Sequence, residues 1–362
     1  MDRLSTITEN NDRVNFYSLP LYVGYSRDFG TINYYEWDKK IEPLRYEISQ
    51  REFLSNNFDV AVKTVTLFSN LLLAETRLKL TVQNIGVLDS LYHNLRGQNT
   101  NQIELQKLLF SKKQGDKLKQ EYVLDKQEAA REIKNYLSLP DQMELSCIVP
   151  AEIDSVSFSV AFVLEKLNKN SVDLLRLDEQ LIETKKYLEV AKARRHDISV
   201  NINVGFSGSD GNFVDAYSPL DSRQGFKLGV EMPILNWGEN RKKIKQAQIK
   251  LEDFLEYKSY QSKTVENYLI TINQGFNNQY SLVDQSQTLH ILASSTFTDA
   301  VSHYSEFKLN SVALDILKED KDDSRLQYID ELMTYWYYKY AMSKMCLYDF
   351  VNNKDLLDEF QQ

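Results

Sequence analysis

The stretch EMPILNWGENRKKIKQAQ, Glu231 to Gln248, changes character in its middle. Before Pro233 the chain alternates residue by residue, as in GFKLGVEMP. After Gly238 it becomes a charged, proline-free run that suits only a helix. A β-strand therefore passes into a long helix through one proline and one glycine, and the rest of the chain can be read outward from that junction.

Punctuation residues outline the architecture. All six prolines lie before residue 234, and none falls between 44 and 139. From 239 to 362 there is a single glycine, Gly275, among strong helix formers with i,i+3/i+4 apolar spacing, as in IKQAQIKLEDFLEYKSY. The pattern predicts long helices over about 36–96 and 239–306, each roughly 75 to 100 Å at 1.5 Å per residue, too long for a globular core. They must pack lengthwise on other helices, with turns at 97–102 and 307–312 meeting at a common tip.

Between the helical regions the period falls to two. In ISVNINVGFSG, Val200, Ile202, Val204 and Phe206 share one face and Asn201, Asn203 and Gly205 the other. FKLGVEM repeats this, with Phe226, Leu228 and Val230 against Lys227, Gly229 and Glu231. Each strand, at about 9 to 11 residues, is long enough to cross a bilayer when tilted. A hairpin with one face on a soluble core is the plainer alternative. The long polar loop SDGNFVDAYSPLDSRQG between the strands suits an outward loop of a membrane barrel better. A lone hairpin is barely stable, so the strands need partners from other chains.

The chain reads as a tandem duplication. FYSLPLYVGYSRDFG parallels GVEMPILNWGENRK, with Pro20 and Pro233 213 residues apart. RGQNTNQIELQKL parallels FKLNSVALDILKE, and IKNYLSLP parallels SKMCLYDFV. Residues 1–140 form the first repeat (strand, long helix, return helix). Residues 141–157 form a linker. Residues 158–362 form the second repeat, in which a helix over about 158–193 leads into the strand at 198–207.

Composition excludes several classes. With 42% hydrophobic and 26% charged residues the chain is neither disordered nor hydrophobic overall, and no apolar run reaches the roughly 18 residues of a membrane helix. A formal net charge of −9 gives no general reason to expect nucleic acid as a partner. The two cysteines, about 200 residues apart, fit no metal or redox spacing. The histidines at 93, 196, 290 and 303 match no metal-ligand motif, and no phosphate-cradling G-x-x-x-x-G-K-[ST] loop exists. No cofactor and no enzymatic activity are expected. The aromatic run Tyr335, Trp336, Tyr337, Tyr338 and Tyr340 reads as packing.

PILNWGENRKKIKQAQ, the earlier PLYVG followed by EWDKKIEPLRYE, and the closing YWYYKYAMSKMCLYDF resemble the TolC-type outer-membrane efflux proteins, in the form common among Bacteroidetes. The resemblance covers nearly the whole chain. It implies a mainly α fold with a small β part: long coiled-coil helices forming a periplasmic tunnel, plus strands contributing to a β-barrel shared by a homotrimer in the outer membrane. The implied function is a passive conduit of a tripartite efflux or type I secretion system, with a periplasmic adaptor protein and an inner-membrane pump as partners. The alternative is a non-transporting coiled-coil scaffold or adaptor, or a truncated fragment of such a channel.

On this resemblance Pro233 and Gly238 turn the chain from barrel wall to tunnel wall, and Pro20 with Gly24 do so in the first repeat. Val200, Ile202, Val204, Phe206, Phe226, Leu228 and Val230 face outer-membrane lipid. Glu104 and Asp315 match the family's acidic pore constriction at the periplasmic tip; ordinary first-turn acids favoured by the helix dipole are the competing reading. Gly97, Asn99, Thr100, Lys308, Asn310 and Ser311 form the adaptor-contact turns. Lys318 stands where a second acid is expected, and no glycine marks the second tip as Gly97 marks the first. The first 20 residues lack the apolar core of a signal peptide. Subtracting the repeat offset places the first helix and first strand before Met1, so three of four barrel strands are expected, the first being the poorly alternating RVNFYSLP.

Overall fold

The computed structural model describes residues 5–9, 13–29, 32–96, 101–150, 153, 155–194, 198–210, 224–231, 238–304 and 310–360. Six strands and seven helices follow in the order β1 (Ser5–Glu9), β2 (Arg13–Phe29), α1 (Tyr34–Arg96), α2 (Gln102–Tyr136), α3 (Val160–Asn170), α4 (Val172–Ala193), β3 (Ile198–Asp210), β4 (Gln224–Glu231), α5 (Glu239–Ser302), α6 (Ser311–Cys346), β5 (Tyr348–Asp349), β6 (Lys354–Asp355) and α7 (Leu356–Phe360). They divide into two compact units, one of residues 1–46 and 176–260, the other of 47–175 and 261–362. Each unit draws on residues from both of the repeats expected from the sequence. Helices α1, α4 and α5 contribute residues to both units.

In the first unit β1 to β4 form one antiparallel sheet in sequence order, with β1 and β4 at its open edges. The sheet has four strands where three were expected, because Ser5–Glu9 pairs with Arg13–Tyr17. Strand β2 runs 17 residues, through Pro20 and Gly24 to Phe29. Those two residues therefore lie inside the strand rather than at its exit, contrary to the sequence reading. The physical reason is a bulge: Ser18 faces Gly208 and Leu21 faces Phe206, so Leu19 and Pro20 share the place opposite Ser207. A bulge leaves residues unpaired, which is where a proline without an N–H can sit in a sheet.

The register sorts the alternation of three strands. Val23, Tyr25 and Arg27 lie opposite Val204, Ile202 and Val200, and these in turn lie opposite Phe226, Leu228 and Val230. Directly opposed positions share a face, so Val23 and Tyr25 fall on the same side as the apolar positions of β3 and β4. Gly24, Ser26, Asn201, Asn203, Lys227 and Gly229 occupy the other, where the Ser26 hydroxyl donates to Asn201 Oδ1 at 2.6 Å. Also in this unit Leu188 and Ala191 of α4 pack on Ala247 of α5. Arg45 of α1 donates to Glu179 of α4 at 3.0 Å and also pairs with Glu183.

Helix α5 begins immediately after Gly238, whose φ of +79° is one that residues with a Cβ rarely adopt, and whose carbonyl accepts from Lys242 N–H at 3.0 Å. Pro233 lies outside the described residues. The single helix expected over 158–193 is broken at Ser171, which is extended (φ −61°, ψ 129°). Its hydroxyl accepts from Leu174 N–H at 3.4 Å, starting α4 anew, because a serine offers the backbone an alternative to continuing the helix.

The second unit is a bundle with its largest core around Val163, Leu167, Leu269, Phe276, Tyr335 and Met342. Tyr335, at 1% exposure, stacks on Phe276 with centroids 5.2 Å apart. The segment just before α3 is tied to α5 by side chains: Asn273 and Asn277 both donate to the Phe158 carbonyl, at 3.1 and 2.9 Å, and Phe158 N–H returns a bond to Asn277 Oδ1 at 2.9 Å. Gly275 lies between them because a Cβ there would stand 2.6 Å from the Tyr338 ring. Helix α6 ends at Leu347, a buried leucine at φ 43° whose left-handed conformation costs about 1 kcal/mol or more. Burial against Ile48 and Val172 offsets that cost.

Candidate functional site at the helical tip

In the second unit the N-terminus of α2 meets the end of α5 and the N-terminus of α6. Both returning helices begin with an asparagine cap. Asn101 Oδ1 accepts from Ile103 N–H at 3.0 Å, and Asn310 Oδ1 from Ala313 N–H at 2.9 Å. Each cap satisfies a backbone donor that the helix leaves without a partner. Below them Leu88, Leu91 and Leu95 of α1, Leu108 of α2, Phe297 and Tyr304, and Leu314 of α6 form a buried apolar cluster.

Over that cluster the two candidate acids are engaged within the chain. Glu104 Oε1 accepts from the Tyr304 hydroxyl at 2.7 Å and from the backbone N–H of Ser311. Burial alone would raise the carboxyl; donation from Tyr304 and Ser311, with the charge of Lys107, outweighs it and holds Glu104 below the usual carboxylate range. Burial first, then the bond to Glu104 and the charge of Asp315, hold the Tyr304 hydroxyl well above its ordinary value. At neutral pH the pair is thus an ionised acceptor and a neutral donor. Asp315 accepts from the Ser111 hydroxyl at 3.0 Å and from Lys318 Nζ at 2.8 Å. Glu104 thus joins α2 to Tyr304 and to the start of α6, and Asp315 joins α6 to α2 and to its own next turn.

A cavity of about 270 Å³ lies beside these ties, between α1, α2 and α6. Asn84, Ile85, Ser111, Gly115, Asp315 and Asp322 are among its walls. Asn84, 7% exposed, uses both ends of its amide: Nδ2 donates to Asp322 Oδ2 at 2.6 Å, and Oδ1 accepts from Lys321 Nζ at 2.6 Å.

Of the expected adaptor-contact residues, Gly97, Asn99, Thr100 and Lys308 lie outside the described residues. Asn310 spends its side chain on the cap, and Ser311 is 3% exposed, so it is interior to this chain. The sequence reading missed Tyr304, Ser111, Asn84 and Lys321. A signal existed for one of them, since Asn84 interrupts an otherwise apolar helical stripe running through Leu88, Leu91 and Leu95. Among the described residues no group of three or more His, Cys, Asp or Glu side chains is placed to hold a metal. No described helix is long and apolar enough to cross a membrane.

A mainly helical chain with helices of 63 and 64 residues, returning helices of 35 and 36, and one antiparallel sheet has the fold of the outer-membrane channel proteins. Among solved structures, CusC, described for its transmembrane channel formation, superimposes with a TM-score of 0.76 at 12% identity, over 96% of this chain and 82% of its own. A membrane protein from Pseudomonas aeruginosa gives 0.76 at 12%, over 96% and 83%. The CmeC outer membrane channel of Campylobacter jejuni gives 0.75 at 12%, over 100% and 79%. No family profile matches the chain, and no curated protein matches its sequence. At such identities the likeness is one of fold.

Proposed function

We propose that this protein is the subunit of an outer-membrane channel, a passive conduit in a tripartite efflux or type I secretion system. The observation that carries the reading is the fold likeness over 96 to 100% of the chain to structures described as channels. The sheet supports it independently. Its two open edges await strands from other copies, and its apolar face is exposed at Val23 (79%) and Val230 (64%). On this reading three copies close a barrel. Val200, Ile202, Val204, Phe206, Phe226, Leu228 and Val230 then meet lipid, and Gly238, with Pro233, turns the chain into the helical tunnel. A periplasmic adaptor and an inner-membrane pump supply the opening energy, in keeping with a sequence that carries no G-x-x-x-x-G-K-[ST] phosphate loop.

The repeat organisation belongs to the same reading: 1–140 and 158–362 as duplicated units joined by 141–157. The matched helix lengths and the paired asparagine caps at Asn101 and Asn310 support it. Glu104 and Asp315, repeated by threefold symmetry, line the constriction at the tip, and the turns around 97–100 and 308–311 meet the adaptor. Like charges drawn together there attract cations and repel one another.

Reconstitution in a planar bilayer tests the proposal. The parent is expected to conduct with cation preference, and Glu104→Gln with Asp315→Asn to lower that preference and the block by divalent ions. A protein that inserts but never conducts, or that remains a soluble monomer in every detergent, overturns it.

A further inference from the structure

In the first unit β2, β3 and β4 end in line: Phe29 lies opposite Ile198, and Ser199 opposite Glu231. The helices join the sheet at that end, α1 beginning at Tyr34, α4 closing at Ala193 and α5 beginning at Glu239. Charge on the helices then sorts by distance from the strands. At the start of α5 Arg241, Lys242, Lys243 and Lys245 accompany a single acid, Glu239, whereas Glu252, Asp253 and Glu256 follow beyond Leu251. At 1.5 Å per residue the four bases fall within about 10 Å of the helix start. Helix α4 mirrors this, with Glu179 and Glu183 away from the sheet and Lys185, Lys192 and Arg194 towards it. The two basic segments adjoin, because Leu188 and Ala191 pack on Ala247.

Within this band Lys243 pairs with Glu239 and Lys192 with Glu189. Arg241, Lys242 and Lys245 are exposed and have no acidic partner among the described residues. In a chain of formal net charge −9 such a cluster is local rather than a consequence of composition. The helix dipole favours bases at the end of α4 but opposes them in the first turns of α5, so helix stability does not account for the second group. The surroundings say what the band fits. Val230, next to the end of β4, is 64% exposed on the apolar face, and Tyr34 and Tyr35, 45% and 74% exposed, open α1 at the same end of the sheet. Apolar surface, then tyrosine, then unpaired positive charge is the order of chemistry met on leaving a bilayer through its headgroups. A soluble polyanion would use the charges and leave the valines and tyrosines beside them in water.

We propose that this band binds the phosphate headgroups of anionic phospholipids in the leaflet nearest the helices, and thereby fixes the depth at which the sheet sits. Arg241, Lys242 and Lys245 supply the charge that no acid of the described chain neutralises, and Tyr34 and Tyr35 mark the level of the headgroups. The proposal rests on the channel reading for the place of the sheet in lipid, and adds which lipid the chain selects.

Native mass spectrometry tests it on the full chain, refolded into vesicles of phosphatidylcholine mixed equally with phosphatidylglycerol and released in mild detergent, by counting the lipids retained. The parent is expected to keep phosphatidylglycerol in preference to phosphatidylcholine. Arg241→Gln with Lys242→Gln and Lys245→Gln is expected to lower that preference at least about tenfold while inserting as well as the parent into pure phosphatidylcholine. Arg241→Lys with Lys242→Arg and Lys245→Arg is expected to retain it, since the band supplies charge rather than shape. For the parent itself, salt at about 1 M is expected to erase the preference by screening. Equal retention by the parent and the glutamine variant, both inserted, overturns the proposal and leaves the channel reading standing. So does displacement of the lipid by inorganic phosphate at constant ionic strength, which would make the band a site for the free anion, and so does binding to peptidoglycan without any lipid preference. A chain that enters neither the mixture nor pure phosphatidylcholine sinks the channel reading and this proposal with it.

Discussion

The carboxylate of Glu104 accepts a 2.7 Å hydrogen bond from the hydroxyl of Tyr304, a residue 200 positions later in the chain. An acid that first-turn preference alone would explain is thereby a tie between the two halves of the sequence. Tyr304→Phe is expected to remove about 1 kcal/mol of stability, since the bond reaches a charged acceptor but is only partly buried. In a double-mutant cycle Glu104→Gln is expected to couple to it by a similar amount. Additive effects in urea denaturation sink the tie.

The same carboxylate carries a pH dependence. Its folded value lies below the ordinary one of 4.5, the bonds and Lys107 outweighing burial. The unfolded state therefore binds more protons as the solution is acidified. The contribution is fully present above about pH 4.5 and is lost as pH falls through the folded value. Melting temperature against pH, for the parent and for Glu104→Gln, reads it: the two curves are expected to converge in acid.

His290 has the opposite chemistry and the same sign. Burial chiefly, then the facing charges of Arg325 and Lys321 on α6, depress its folded value below the usual 6.5. The neutral ring is what the fold accommodates; its Nδ1 lies 3.4 Å from the Ser294 hydroxyl on its own helix. Protonation in the unfolded state begins first, so stability declines as pH drops below about 6.5 and reaches its full penalty below the folded value. His290→Gln is expected to flatten the pH 5 to 7 part of the stability profile, measured by chemical denaturation. An unchanged slope removes His290 from the account.

On the sheet, Val204→Arg is expected to cost about 2 to 4 kcal/mol if its face meets lipid, whereas Asn203→Arg, one residue earlier and facing the other way, is expected to be tolerated. Refolding into lipid vesicles distinguishes them. Equal tolerance at the two positions means that the strands belong to a soluble sheet.

In the core, Ile329 and Leu332 are 0% and 2% exposed, and truncating either to alanine is expected to cost about 2 to 5 kcal/mol. Gly275→Leu is expected to lower the melting temperature by crowding Tyr338, and Tyr338→Ala to restore part of the loss in the double variant. Absence of that rescue places the strain elsewhere.

The long helices were legible because proline and glycine are absent where apolar spacing persists. A pattern expected to start near residue 36 and one starting at 239 became α1 from Tyr34 and α5 from Glu239. The alternation of β3 and β4 was legible for the same local reason, a period set by the backbone itself. Which strand residues face each other was not local. Pro20 read as a stop, yet β2 continues past it, because a bulge against β3 accommodates the missing N–H and the partner strand lies almost 190 residues away. Ser171 read as helix, yet its hydroxyl starts a new one.

At the tip, the family resemblance singled out Glu104 and Asp315, but their partners came only with tertiary structure. Ser111 and Asn84 are ordinary helix-surface residues, and Tyr304 an ordinary turn residue, until a helix distant in sequence is laid against them. Periodicity reports what a segment does with its own backbone and one apolar face. Hydrogen bonds between side chains far apart in sequence depend on the rotation and register of two packed helices, which no single segment encodes.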